Sequence, residues 1–494
     1  METEIKFALS PDARARIEQH ARPLALVGET SHIDHTTYFD TAGQTLRKAG
    51  FSLRVRHRLE SGGYVQTVKS VGNGTLHRRE WEWPVAGPRP DLARLAEVEA
   101  LPTLSADGLQ PVFRTEVNRS RFVLAPAAGT KLELALDEGA VVADNKSEPL
   151  SEMEIELKAG SEDVLFRVGL DFLTVAPLAL LNESKAERGY SLLGGSGPAA
   201  RTARPIVLDP DSSVQAAFRC LAEALLDHLL ANQPAALRGD TREGVHQMRV
   251  AIRRLRSLLV LFDHVLEPHP RDCFDVELRR LGQLLGAPRD WDVFLDETLP
   301  RAVKDTYSLR WVEPLRALAA QRRHAAHQAA KKAVFESAFT RFVLAFEAWS
   351  RSIYATLPRI DRPLKELAPG MLSRLSRKVD KRLEAMETTD PASRHELRKS
   401  AKKLRYAIEY FEGLYGDAAG AYHKRCNALQ KRLGVLNDLA TMTRLASELS
   451  TDGRIDLAPA LGILDDRGNV LAAKALRKLD TTVRKFERQA PFWK

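Results

Sequence analysis

Residues 151–159 read SEMEIELKA. Glu152, Glu154, Glu156 and Lys158 alternate with Met153, Ile155 and Leu157, a period of two that marks a strand with one charged and one apolar face. The alternation recurs upstream. Glu2, Glu4 and Lys6 share a face opposite Ile5 and Phe7; Arg54, Arg56 and Arg58 oppose Leu53 and Val55; Arg78, Glu80 and Glu82 oppose Trp81 and Trp83. Arg119 shares a face with Arg121, and Glu133 with Asp137. Gly62-Gly63, Gly72-Asn73-Gly74 and Gly87-Pro88 supply turns, and helical patterns fall near residues 11–22, 90–101 and 161–175. Residues 1–190 are expected to form an antiparallel sheet or barrel with a few flanking helices.

The charged faces admit two placements. On a half-exposed sheet they meet water. In a closed barrel they would turn inward and crowd carboxylate rows against arginine rows, which is costly unless ligands bridge them. Mg²⁺ or Mn²⁺ suits the carboxylates, and phosphate oxygens suit the guanidinium forks.

Residues 194–205, GGSGPAARTARP, have no hydrophobic period and read as an interdomain linker at 196–205. Beyond it the chain reads as nearly all helix, with apolar residues at i, i+3, i+4 and i+7. This part repeats itself. His246, Arg249, Arg253 and Arg256 recur 149 positions later as His395, Arg398, Lys402 and Arg405. Leu285-Gly286 with Arg289-Asp290 recurs 148 positions later as Leu433-Gly434 with Asn437-Asp438. On a helix the first four form one basic stripe beside the apolar face of Leu255, Leu258, Leu259 and Phe262, and stacking like charges twice at matched positions points to a polyanion.

Net charge agrees. The 494 residues carry 74 Lys+Arg and 65 Asp+Glu, a net +9. Residues 1–200 hold 23 basic and 28 acidic residues, a net −5, and residues 201–494 hold 51 and 37, a net +14. Cys220, Cys273 and Cys426 make no disulfide framework or zinc pattern, so a cytoplasmic location is expected. Neither a signal peptide nor a membrane span is expected; Arg167 and Asp171 interrupt the most apolar stretch.

Taken in order, Glu2-x-Glu4-x-Lys6, Arg54-x-Arg56, Lys69, Arg78-x-Glu80-x-Glu82, Arg119-x-Arg121, Asp137, the 152/154/156 glutamates and Lys185 before Arg188-Gly189-Tyr190 resemble the CYTH domain of the triphosphate tunnel metalloenzymes, over about residues 1–195. That resemblance implies an eight-stranded antiparallel β-tunnel hydrolysing triphosphates with Mg²⁺ or Mn²⁺. It implies metal-side carboxylates among Glu2, Glu4, Asp137, Glu154 and Glu156, with Glu80, Glu82 and Glu152 as further candidates. It implies phosphate contacts from Arg54, Arg56, Lys69, Arg78, Arg119, Arg121 and Lys185. Lys6, between two glutamates, takes a positioning or leaving-group role, and Glu4, Lys6, Arg54 and Arg56 are the residues expected to act in catalysis.

The repeated phrases resemble the CHAD domain, the conserved-histidine α-helical domain, over about 206–490, with repeats near 206–345 and 346–490. This implies an α+β multidomain chain ending in two pseudo-symmetric four-helix bundles. It also implies inorganic polyphosphate held by His246, Arg249, Arg253, Arg256, His395, Arg398, Lys402, Lys403 and Arg405. Arg279, Arg280, Lys424, Arg425, Lys431 and Arg432 are candidates by position alone. Asn437 in place of a second arginine, and Pro288 in the first phrase, set the halves apart. Neither histidine has a carboxylate or His at i±4 on its helix, so phosphate contact or side-chain orientation is expected of them rather than metal binding. Nucleic acid is disfavoured because no aromatic residues interleave with the stripe.

The expected function is hydrolysis of inorganic triphosphate to pyrophosphate and phosphate by a chain that also binds polyphosphate. The alternatives are a non-catalytic protein associated with polyphosphate granules, a class IV adenylyl cyclase and a thiamine triphosphatase. Oligomeric state is not legible.

Overall fold

The computed structural model describes residues 2–60, 62–70, 77–104, 108–194, 197–352, 362–387, 390–450 and 456–494. They divide into two compact units: Met1–Arg201 with Asp227–Gly244 and Lys332–Ser352, and Thr202–Leu226 with Val245–Lys331 and Ile353–Lys494. Two stretches expected in the helical domain therefore pack with the strands.

In the first unit the strands are β1 (Glu2–Ala8), β2 (Ala25–Asp40), β3 (Phe51–Arg58), β4 (Tyr64–Ser70), β5 (His77–Arg78), β6 (Glu80–Val85), β7 (Gln110–Leu124), β8 (Lys131–Ala143), β9 (Lys146–Ala159) and β10 (Ala179–Leu180). They run in the order β10-β1-β9-β8-β7-β2-β3-β4-β6, and β5 returns to pair with β1. Only Arg79 separates β5 from β6. The stretch 77–85 thus joins β4 on one side to β1 on the other and closes the sheet into an antiparallel tunnel. All pairings are antiparallel, and closure removes the exposed edges an open sheet would present.

The charged faces turn inward, and the apolar faces form the outer wall. Ile5, Phe7, Phe122, Leu134, Met153 and Ile155 are fully buried there. Their cover is helical. The helix Pro11–Ala21 starts where the Ser10 side chain accepts the Ala13 N–H, with Pro11 in its first turn. The helix Glu162–Val175 buries Leu165, Phe166, Phe172 and Leu173. At Gly169 it passes so close that an added Cβ would lie 3.0 Å from Ile5 Cδ1 and 3.1 Å from Leu344 Cδ1. Leu344 belongs to the helix Ser337–Ser352, whose Thr340 hydroxyl accepts the Leu180 N–H of β10 at 2.9 Å. This is why residues 332–352 join the tunnel: they cover apolar surface its own helices leave open.

The second unit is helical. The expected inner face is buried, with Leu255, Leu258, Phe262, Leu404, Ile408 and Phe411 all at 0% exposure. The Phe262 and Phe411 rings, one from each repeat, lie 6.5 Å apart edge to face. A further core cluster combines residues of the first repeat, Trp291 to Ala319, with residues of the second, Leu439 to Leu464. The two repeats share apolar cores rather than each enclosing its own.

One of the tunnel's tight backbone approaches is at Gly139 of β8. A Cβ there would sit 1.9 Å from the Glu116 carbonyl oxygen of β7. Gly139→Ala must force these strands apart, at an expected cost of about 1–3 kcal/mol. The check is a lowered unfolding temperature for the tunnel unit.

Candidate active site

A cavity of about 620 Å³ lies inside the tunnel unit. Glu4, Lys6, Arg54, Arg56, Lys69, Glu80, Glu82, Arg119, Arg121, Glu154, Glu156 and Lys185 line it. Glu2 and Arg78 pair backbone to backbone where β1 meets β5, but their side chains lie outside the described residues. Asp137 and Glu152 lie beneath the cavity rather than on its wall, at 0% and 1% exposure.

The floor is a buried charge network. Lys185 enters on the helix Lys185–Leu192, whose start is fixed by a capping box between Ser184 and Glu187. Its Nζ lies 2.8 Å from Asp137, 2.9 Å from Glu152 and 2.8 Å from Glu154. Arg119 grips both Asp137 oxygens at 2.6 Å and reaches Glu154 at 3.0 Å. Arg188 donates to Glu152 at 2.8 Å. Burial opposes the charges of Arg119, Asp137, Glu154 and Lys185, but the neighbours outweigh it. Lys185, Lys6 and Arg119 hold Glu154 well below the usual carboxylate range, and Asp137, Glu152 and Glu154 raise Lys185 well above the usual amine. Asp137, Glu152 and Glu154 offer oxygens within 4.8 Å of one another, a spacing that could hold a cation. In this structure the Lys185 ammonium stands among them. Asp137 and Glu152, expected as metal ligands, are placed as counter-ions of Lys185, Arg119 and Arg188. Lys185, expected to hold phosphate, directs its three donors at them.

The wall above is different. Glu4 of β1 stands opposite Glu156 of β9, and Glu156 stands opposite Glu133 of β8. Glu4 and Glu133 thus flank Glu156 across neighbouring strands, and each of the three has a cationic side chain beside it. Glu4 Oε1 is buried without a hydrogen-bond partner, 3.2 Å from the Lys6 Nζ. Lys6 also stands 3.0 Å from Glu154. Arg121 pairs with Glu133, and Lys158 lies 2.5 Å from Glu156. Glu133 was visible as part of a charged face, but only the β8–β9 register places it beside Glu156.

On the facing wall Glu80 lies 3.1 Å from Lys69 and 3.6 Å from Arg54, and Glu82 lies 3.4 Å from Arg56. Glu82 also accepts the Thr67 hydroxyl at 3.1 Å. These two glutamates, expected as possible metal ligands, aim the basic row. Burial and then the Arg54 charge lower the Arg56 pKa, whereas for Arg54 burial is outweighed by Tyr38 and Glu80, which raise it. Sequence periodicity missed Tyr38, Arg47 and Tyr190, which line one end of the cavity. The Tyr190 hydroxyl donates to Asp40 at 2.7 Å, and the Arg47 guanidinium lies 4.9 Å from the Tyr190 ring centre. Arg47 and Tyr190 sit at a helix and a helix end, outside any strand alternation.

In the helical unit the matched phrases meet. Arg249 donates to the Gly286 carbonyl at 2.7 Å and to Asp290 at 3.2 Å. A Cβ on Gly286 would be 3.0 Å from that guanidinium, and one on Gly434 would be 3.9 Å from Arg398. Each repeated glycine sits beside its repeat's arginine. Burial, then neighbouring charge, lowers the pKa of Arg249 and Arg398, with Arg253 the like-charged neighbour of both. Lys402 falls furthest, through burial and then Arg398, Arg253 and Arg249. Residues of both repeats therefore converge on one cationic cluster, where the Nε atoms of Arg253 and Arg398 are buried without hydrogen-bond partners. Arg256 is drawn to Asp275 at 2.9 Å, and Arg405 to Gln430 and Glu409. His395 faces Asn437 at 2.9 Å, where the expected asymmetry between the halves falls. Lys403 lies near Arg256 with its pKa lowered chiefly by burial, and His246 Nδ1 is buried.

The floor gives a direct test. Lys185→Met leaves three carboxylates short of their shared cation, and the expected loss is about 3–5 kcal/mol. Without Lys185 the carboxylates' folded-state pKa values rise. Part of the loss should therefore return as pH falls toward 4, where protons replace the ammonium. Chemical denaturation at pH 7 and pH 5 measures both.

The CYTH domain family matches residues 1–190, and the CHAD domain family matches residues 220–447. An inorganic triphosphatase of Haemophilus influenzae is 31% identical over 199 residues, covering 39% of this chain and 54% of that protein. The chain thus spans about half the length of that relative. An uncharacterised protein of Mycobacterium tuberculosis is 26% identical over 502 residues, covering 92% of this chain and 91% of its own. The crystal structure of the CHAD domain from the plant Ricinus communis is 34% identical, with a TM-score of 0.51, covering 59% of this chain and 98% of that one. Among the described residues no helix is long and apolar enough to cross a membrane. Over residues 1–190 the chain is similar to the CYTH domain family, and through residues 220–447 it belongs to the CHAD family.

Proposed function

We propose that the tunnel hydrolyses inorganic triphosphate with a divalent metal, Mg²⁺ or Mn²⁺, and that the helical unit binds inorganic polyphosphate. The observation that carries the first part is the Glu4–Glu156–Glu133 row facing Arg54, Arg56 and Lys69 across one cavity. The likeness to an inorganic triphosphatase over the tunnel residues supports it.

The donor set fits a hard cation. Glu4, Glu156 and Glu133 supply carboxylate oxygens only, and Glu4 Oε1 has no hydrogen-bond donor of its own. A metal held there would polarise a phosphoryl oxygen and make bound water more acidic. The chain's own residues do the rest. Arg54, Arg56, Lys69 and Arg119 take the phosphate oxygens as forks and point charges, fixing the chain for in-line displacement. Lys6, poised between Glu4 and Glu154, is placed to donate a proton or hydrogen bond to the departing oxygen. The Lys185 network fixes Glu154 in its ionised form beneath them.

Glu4→Ala should lower kcat/KM for tripolyphosphate by at least about 100-fold, or 2.7 kcal/mol of transition-state stabilisation. Phosphate release with each metal measures it. Turnover in neither, or an unaffected mutant, sinks the hydrolytic reading.

For the helical unit the carrying observation is the convergence of Arg249, Arg253, Arg398 and Lys402. Four buried or half-buried cations repel until a polyanion arrives. Double charge reversal, Arg253→Glu with Lys402→Glu, should weaken polyphosphate binding by at least about tenfold. Binding should also take up protons. Burial, then Arg398, Arg253 and Arg249, push the Lys402 pKa well below the usual amine, and a bound polyanion favours its charged form. Calorimetry in buffers of different ionisation enthalpy reads this as proton uptake on binding. Lys402→Met should remove most of it.

A further inference from the structure

We propose that Arg201 is a substrate-positioning residue of the tunnel, a cation that holds the end of the phosphate chain and is supplied by a segment outside the matched CYTH residues. The inference rests on the triphosphatase reading above.

Residues 197–201 were expected to be part of a linker. They are instead a wall of the cavity, which Gly197, Pro198, Ala199 and Arg201 line together with Ala231 and Pro234. The wall is set backbone against backbone. A Cβ on Gly239 would lie 1.9 Å from the Pro198 carbonyl oxygen, and one on Gly197 would lie 2.8 Å from the Arg238 carbonyl oxygen. Arg201 is anchored the same way. Its N–H donates to Asn232 Oδ1 at 2.8 Å, and its carbonyl accepts from Asn232 Nδ2 at 2.9 Å and faces His228 Nε2 at 3.1 Å. Asn232 is itself fully buried.

All of these anchors use the Arg201 main chain, so the side chain is left for another purpose. The Arg201 guanidinium is 46% exposed, and its Nη2 lies 3.6 Å from Glu187 Oε1, beyond hydrogen-bond reach. Glu187 already serves Ser184 through its other oxygen, which accepts the Ser184 N–H at 2.8 Å. So long and half-exposed an ion pair holds little energy. A guanidinium with free donors on a cavity wall fits phosphate oxygens far better. Arg47 lies on the same cavity. Together they give a phosphate chain a cationic contact beyond the inward-facing strand rows.

The test is steady-state hydrolysis of tripolyphosphate by the full chain, comparing wild type with Arg201→Ala and Arg201→Lys. Arg201→Ala should raise KM about tenfold with kcat within about twofold, the size expected for one hydrogen bond to a charged group. Arg201→Lys should recover part of the loss. The unfolding temperature should not move, because the wall is held by main-chain contacts. A KM within about twofold of wild type, or a fall in kcat alone, overturns the assignment and leaves the triphosphatase reading standing. A wild type without turnover overturns both.

Discussion

The tunnel depends on one buried ammonium. Lys185 stands among Asp137, Glu152 and Glu154, each within 2.9 Å. Without it three carboxylates would share a space closed to water, and the two deepest would take up protons or push the strands apart. With it β8 and β9 carry their acidic residues inward, and Arg119 and Arg188 complete the compensation. Lys185 also ties the helix Lys185–Leu192 to the floor. One side chain thus neutralises the base of the cavity and fixes the element that closes one end.

Turning charge inward has a consequence on the outside. The outer faces of β1, β7, β8 and β9 are apolar and must be covered. The helices Pro11–Ala21 and Glu162–Val175 cover part of them, and Ser337–Ser352 packs over Gly169. Polar contacts follow the same route. Gln233 donates to the Leu180 and Val334 carbonyls, and Arg238 reaches Glu148, which also accepts from Arg188. An ion-pair chain therefore runs from Lys185 through Glu152, Arg188 and Glu148 to Arg238. Residues that match the CHAD family in sequence are structural members of the tunnel.

Much of this was legible. Period-two alternation picked out every inward row on β1, β3, β6, β7 and β9, because a closed barrel still obeys strand geometry. Alternation could not say which carboxylate meets which cation. That depends on register and on a helix that begins 26 residues after β9 ends, so neither the Lys185 contacts with Asp137 and Glu152 nor the place of Glu133 beside Glu156 can be read from it. Alternation could not place Arg47, Tyr190 and Arg201 for a simpler reason. They lie on short helices or on a Gly/Pro/Ala-rich stretch, where no period reports which way a side chain faces. The composition that made 196–205 look like a linker is also what backbone-to-backbone packing requires. Gly197 and Gly239 are small because main chains cross there.

The helical repeat shows the same logic in duplicate. The histidine–arginine phrase and the leucine–glycine phrase recur at offsets of 149 and 148 because they are two sides of one contact. A guanidinium lies beside a glycine in each copy, so close at Gly286 that a side chain would press on Arg249, while at Gly434 a Cβ would only touch Arg398. The copies then diverge. Arg249 spends a donor on the Gly286 carbonyl and another contact on Asp290. Arg398 has Asp438 as its nearest counter-charge, and burial raises the Asp438 pKa, which weakens that compensation. Lys402 stands where the first repeat has Arg253, and burial followed by Arg398, Arg253 and Arg249 pushes its pKa well below the usual amine. The second repeat is therefore the less compensated half. If the helical unit takes a polyanion as proposed, more repulsion would be relieved around Arg398 and Lys402 than around their first-repeat counterparts.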